Sequence, residues 1–450
     1  MRAIGSAIGV VALVLAAIAS PIGVRAAEPT FGTPTASATY GTGVTFEQPF
    51  TPASDLRRVE LLWSSPGALG NVAVEVPTPP CCQPTTLSST LAEKDSHLVP
   101  NTRFTARWRA TARDGTVTLG PETSILYADT RFDWKTVAGS IVRVHWYQGS
   151  DAFGRRALEI GEKGIEKAAA LLGVTETEPV DFFVYADQDA FYDALGPGTR
   201  ENVGGEAHAD IRTMFAHIVP DDIDASWVNS VVPHELTHLV FDTAVKNPYH
   251  FPPRWLNEGL AVYLSEGYGD SWRSTTTAAV RSDAIIPLDG LTGQFPTTRE
   301  QFALAYAESV SAVDYLVRIY GKAALVKLVR SYADGVTDDE AFQAGIGSDV
   351  AGFQAGWLKD LGAKTPTAAG PRPGLAGPLP AGWAADPAAP VASALPGVTP
   401  GSGFGGGAGG GGLPVDGPTL LTLLLIAAVA AVFVVMVVVR SRRRAREPGA

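Results

Sequence analysis

The sequence predicts an α+β protein in which an all-β segment, residues 28–130, precedes a segment of mixed strands and helices, residues 135–363. Three observations predict it. Between Thr30 and Tyr127, short β-rich runs are separated by clusters of Pro, Gly and Ser. Near Trp134 the pattern changes to strands interleaved with runs of helical period that carry their charges on one face. From Lys364 the composition falls to Pro, Ala and Gly, which cannot bury enough apolar surface to fold.

Taken in order, residues 1–26 read as a secretory signal: Arg2, an apolar run from Ile4 to Ile18, then Val24-Arg25-Ala26 before Ala27. The run is short for a bilayer span. Strands are expected at Val44–Glu47, Arg58–Trp63, Val72–Val76, Phe104–Thr111 and Ser124–Tyr127. Arg113-Asp114-Gly115 marks a hairpin with a tight primed turn. Strands at this spacing predict a β-sandwich of immunoglobulin or fibronectin type, read as a structural spacer. The two cysteines, Cys81 and Cys82, are adjacent. A vicinal disulfide, two free thiols or bonds to another chain are all open, since the ordinary Cα separation of a disulfide exceeds that of neighbours.

Beyond Trp134, Ile141–Trp146 and Val180–Tyr185 read as strands, and 152–172 and Asp187–Leu195 as helices. The stretch Gly204–Ile218 alternates over its second half, as an exposed edge strand would. A helix is expected over Ser226–Ala244, kinking or starting at Pro233, and a second over Trp255–Leu264. Gln301–Tyr320, 323–332 and 347–361 read as further amphipathic helices.

Residues 364–417 read as a disordered tether ending in the glycine run Gly405–Gly412, spanning on the order of 40 Å as a flexible coil. Residues 418–439 are free of charge and suit a transmembrane helix. Arg440, Arg442, Arg443, Arg444 and Arg446 follow in the basic tail 440–450, which the positive-inside rule assigns to the cytoplasm. The expected placement is therefore a single-pass membrane protein whose folded part is extracellular. Leu413-Pro414-Val415-Asp416-Gly417 faintly resembles a sortase signal of Leu-Pro-x-Thr-Gly type, with Asp416 in the threonine position.

The formal net charge is −11. Removing Arg2 and Arg25 at one end, and the five arginines and Glu447 of the tail at the other, leaves −17 for the part outside. Such a surface repels phosphate backbones, and no basic stripe with interleaved aromatics appears, which argues against a nucleic-acid partner.

Within the second segment stands His234-Glu235-Leu236-Thr237-His238. On a helix, residues four apart share a face, so His234 and His238 can aim at one point, with Glu235 beside it. Two imidazoles and one further donor leave a fourth position open on a zinc ion, and a neighbouring carboxylate can take a proton from water there. The chain holds seven histidines, so a chance HExxH is an event of about one in a hundred. Glu258, twenty positions after His238 in an apolar helical run, is the candidate third donor. A buried glutamate needs a cation or a hydrogen-bond partner. Asp242, four after His238, reads either as an acceptor for an imidazole N–H or as a solvated aspartate. His97, His145, His208, His217 and His250 read as ordinary polar residues, with His208 and His217 of interest for their place on the expected edge strand.

At these residues the sequence resembles the gluzincin zinc metallopeptidases, in particular the peptidase MA-like proteins, over roughly residues 135–363. Pro253-Arg254-Trp255-Leu256-Asn257-Glu258-Gly259-Leu260-Ala261 also resembles the WLNEG segment of aminopeptidase-N-type enzymes. The resemblance implies a zincin-like catalytic domain, a small mixed sheet plus helices, that hydrolyses peptide bonds with one zinc per chain on His234, His238 and Glu258. It implies Glu235 as general base and a peptide or protein as substrate. It implies that the edge strand before the metal helix pairs with extended substrate. It also implies Tyr306 as the donor to the oxyanion, because in aminopeptidase-N-type enzymes that tyrosine precedes a Tyr-Leu pair by nine residues, as Tyr306 precedes Tyr315-Leu316. The Gly-Ala-Met-Glu-Asn motif with which those enzymes hold a free amino terminus is missing, and Glu206 is a weak substitute. The rival reading is a non-catalytic adhesin or scaffold with a structural metal site. Such a site has no need of Glu235.

Overall fold

The computed structural model describes residues 28–196, 204–247, 250–367 and 369. They form a mixed α/β chain whose first part is nine strands: β1 (Thr30–Phe31), β2 (Thr35–Thr39), β3 (Gly43–Thr51), β4 (Leu56–Ser64), β5 (Val72–Val76), β6 (Thr85–Ala92), β7 (Thr102–Ala112), β8 (Val117–Leu119) and β9 (Thr123–Tyr127). In one sheet β3 pairs with β1, β2 and β6; in the other β4 lies between β5 and β7, and β7 also pairs with β8 and β9. All of these pairings are antiparallel. Strand β7 alternates buried and outward residues along its length, the pattern that pins register when one face is buried. Its Phe104, Ala106 and Trp108 meet Val44 and Phe46 of β3 and Leu87 of β6 in one core between the sheets.

Several strands lie where no expectation was raised. Strands β2 and β6 read TASAT and TTLSSTLA, and their small polar residues give little alternation of hydropathy. Pairing with β3 makes them strands. The Asp114-Gly115 hairpin closes through three residues, with Ala112 N–H donating to Thr116 O at 2.9 Å and Gly115 at φ +91°. It is the longer loop with a left-handed glycine, not a two-residue primed turn. Cys81 and Cys82 are bonded to each other in the connection from β5 to β6.

The second part contains β10 (Lys135–Ala138), β11 (Val142–Trp146), α1 (Asp151–Leu172), β12 (Val180–Tyr185), α2 (Gln188–Leu195), β13 (Gly205–His208) and β14 (Thr213–His217). Seven helices follow: α3 (Val228–Val245), α4 (Arg254–Ser265), α5 (Asp270–Arg281), α6 (Arg299–Tyr320), α7 (Lys322–Ser331), α8 (Asp338–Ile346) and α9 (Val350–Leu361). The sheet runs β10-β11-β12-β14-β13, with β11, β12 and β14 parallel and the two edges antiparallel. The Gly204–Ile218 stretch is thus a hairpin. Its alternating second half is the buried strand β14, and the edge of the sheet is β13, which is buried to half-buried. Near-complete burial of β14 on both faces is what a central parallel strand requires.

Helix α3 begins a turn and a half before Pro233 and runs through it, so the imino nitrogen cannot donate back to Asn229. Helix α8 had no counterpart in the reading of the sequence. It is started by a capping box in which Thr337 and Glu340 satisfy each other's backbone N–H, and the expected 347–361 helix starts at Val350 after it. The first part is tied to the sheet and to α2 of the second. Asn101 Nδ2 donates to Asp181 Oδ2 at 3.0 Å and to Thr213 Oγ1 at 2.8 Å, and His97 Nε2 bonds Ala194 O at 3.0 Å.

Among the described residues no helix is long and apolar enough to cross a membrane. The signal at 1–26, the span at 418–439, the tail at 440–450 and nearly all of the tether lie outside them.

Candidate metal centre

Helix α3 supplies two imidazoles on one face, and α4 brings Glu258 to that face, while its Trp255 packs against Phe342 of α8 and Phe353 of α9. The crossing of α4 on α6 depends on Gly259, where a Cβ would lie 2.4 Å from Ser309 O. Because Glu258 is the neighbour of Gly259, and Tyr306 lies a turn before Ser309, this close approach brings Glu258 and Tyr306 near one another.

The donor atoms converge. Glu258 Oε2 lies 3.4 Å from His234 Nε2 and 3.6 Å from His238 Nε2. The three ligand atoms lie within 4.8 Å of one another, the one such group among the described residues. Metal–ligand bonds of about 2.0–2.1 Å at tetrahedral angles separate donors by roughly 3.3 Å, and the two separations from Glu258 Oε2 are close to that value, so these three residues could hold a zinc ion. Glu258 Oε2 is also buried without a hydrogen-bond partner, and an orphaned carboxylate oxygen is costly unless a cation meets it. Burial opposes the charge on Glu258, yet contact with His234 and the fields of His238 and Arg254 hold its carboxyl well below the usual range.

Glu235 stands beside the three donors. It is reached from the sheet by β13, where a Cβ on Gly205 would lie 3.0 Å from Glu235 Cγ. Burial raises its carboxyl to about 8, with His234 opposing, Glu258 and Glu206 adding, and the Ala207 N–H opposing as a hydrogen-bond donor. A cation on the three ligands would oppose that rise. The Tyr306 ring centroid lies 6.2 Å from that of His234. Burial and then the charge of Glu258 push its hydroxyl above the ordinary value, so it stays a donor. Tyr315 is elsewhere, its ring 5.6 Å from Phe353 of α9.

Two partners of the ligands were missed in the sequence. Asn257 Oδ1 lies 2.9 Å from His238 Nδ1, the place that Asp242 was considered for. Asp242 instead neighbours Asp210, Arg212 and Glu176, and burial raises its carboxyl. Arg254 donates to Glu258 Oε1 from Nε at 3.1 Å and Nη2 at 2.9 Å. Its spacing of four from Glu258 on one helix was the available signal. His208 lies 3.2 Å from Glu206 and His217 packs near Phe191; neither joins the donor group.

Residues 160–363 match the family model of the Peptidase MA superfamily. No curated protein matches the chain. Among solved structures, the chain is similar to an M1 zinc metallopeptidase from Deinococcus radiodurans, at 14% identity over 77% of this chain and 97% of the other, with a TM-score of 0.36. An aminopeptidase N family protein from Idiomarina loihiensis is similar at 10% identity over 71% and 73%, with a TM-score of 0.36. For Legionella pneumophila aminopeptidase A the figures are 9%, 73% and 49%, with a TM-score of 0.33.

Proposed function

We propose, from the premise that residues 160–363 are a Peptidase MA superfamily domain and the chain a zinc peptidase hydrolase, that it cleaves peptide bonds of extracellular peptides or proteins using one zinc per chain. His234, His238 and Glu258 hold the metal. The observation that carries this is the orphaned Glu258 Oε2 facing two imidazole nitrogens, with Glu235 adjacent and outside the donor set. Zinc held there would supply Lewis acidity toward the substrate carbonyl and toward water in the site. Glu235 takes the proton as water attacks and passes it to the leaving amine. The Tyr306 hydroxyl donates to the oxyanion that builds up.

The two-sheet body at 28–130 acts in this reading as an immunoglobulin- or fibronectin-like spacer, with 135–363 as the peptidase domain. The charge-free stretch 418–439 and the arginines after it support anchoring by one helix with the catalytic part outside.

The test is a peptide-library digest by the full chain, with and without a chelator, beside Glu235→Gln. Cleavage should need metal, and the glutamine variant should keep zinc yet lose turnover, because an amide cannot accept the proton. Cleavage that survives metal removal, or full turnover in Glu235→Gln, refutes the reading.

A further inference from the structure

Glu258 presents two oxygens in different states. Oε1 accepts both the Nε and the Nη2 of Arg254, whereas Oε2 accepts nothing and faces the two imidazoles. Arg254 is itself held. Its backbone N–H donates to Thr292 O at 2.9 Å, and its guanidinium lies 5.0 Å from the Phe295 ring centroid, close enough for a cation–π contact. The pair sits one turn apart on α4, so the geometry is built into a single helix and survives small shifts of α4 against α3.

This arrangement is not what a site built only for tight metal binding requires, since a guanidinium next to the carboxylate repels a cation there. It does something else. A carboxylate free at both oxygens can ligate through both, filling an extra position and giving the metal more charge. Tying Oε1 to two N–H groups removes that option and draws charge from the carboxylate.

We propose that Arg254 is a positioning residue of the metal centre, which holds Oε1 of Glu258 so that only Oε2 would be presented to a metal. This rests on the metal reading above. It concerns how the third ligand is presented, which that reading leaves open.

The test uses the full chain loaded with cobalt(II), whose visible absorption weakens as coordination number rises. Arg254→Leu is expected to lose absorption intensity while still binding metal, and its zinc-loaded form to lose turnover about 10–100-fold with KM little changed. If the leucine variant does not fold, Arg254→Lys is read by the same spectrum, because it keeps the charge but cannot place two donors on one oxygen. Its intensity should also fall. An unchanged spectrum in whichever variant folds and loads metal overturns the proposal. A wild-type chain that takes up neither cobalt nor zinc instead refutes the metal reading itself.

Discussion

His238 Nδ1 lies 2.9 Å from Asn257 Oδ1, and Asn257 is the residue before Glu258. An amide oxygen only accepts, so the proton belongs on Nδ1 and the Nε2 lone pair faces Glu258. Helix α4 therefore supplies one donor and orients another. Asn257→Leu should weaken zinc binding about 10–100-fold without unfolding the domain. Competition with a chromophoric chelator measures this, and a wild-type affinity would show that the contact is incidental.

Tyr306 and Tyr315 lie on the same helix with different surroundings: one ring faces His234, the other Phe353 of α9. Tyr306→Phe should cut turnover about a hundredfold or more, with zinc content and KM nearly unchanged, because the contact strengthens mainly in the transition state. Tyr315→Phe should leave the chemistry alone. Steady-state kinetics of the pair decides it, and a loss confined to the Tyr315 variant would move the role.

Glu308 is fully buried on α6, and only the Ile286 N–H reaches it. Burial pushes its carboxyl up from 4.5 to about 8, with the Ile286 hydrogen bond opposing. Between those values the unfolded chain releases the proton while the folded chain keeps it. Stability is therefore fully present below pH 4.5 and is lost as pH rises toward 8, by up to about 1.4 kcal/mol per pH unit. Glu308→Gln should remove this part of the pH dependence. Urea unfolding of both proteins at pH 5 and pH 8 measures it; equal slopes would mean that Glu308 is ionised in the fold.

The charge-free stretch 418–439 with arginines on its C-terminal side leads to a simple topology experiment. Protease added to intact cells should release folded catalytic domain by cutting within the tether 364–417. Recovery of that domain in the cytosol would contradict the outward placement.

The sequence alone determined those features whose signal is local. Four residues of helix put His234 and His238 on one face whatever surrounds them, and the run Phe104–Thr111 marked a strand by itself, which the structure extends to Thr102–Ala112. The apolar run around Glu258 likewise marked a buried acidic group in need of a partner. Other features needed the tertiary structure. Strands β2 and β6 carry too little hydropathy contrast and exist because β3 pairs with them. Strand β14, read as an edge, became central because β13 folded back to cover it. Only the packing of α4 on α3 could decide that Oε2 of Glu258 faces both imidazoles while Arg254 keeps Oε1. The physical reason is range. Periodicity encodes which face of an element is apolar over a few residues, whereas the atom that meets another twenty positions away is set by how two helices pack, as α4 packs on α3 here.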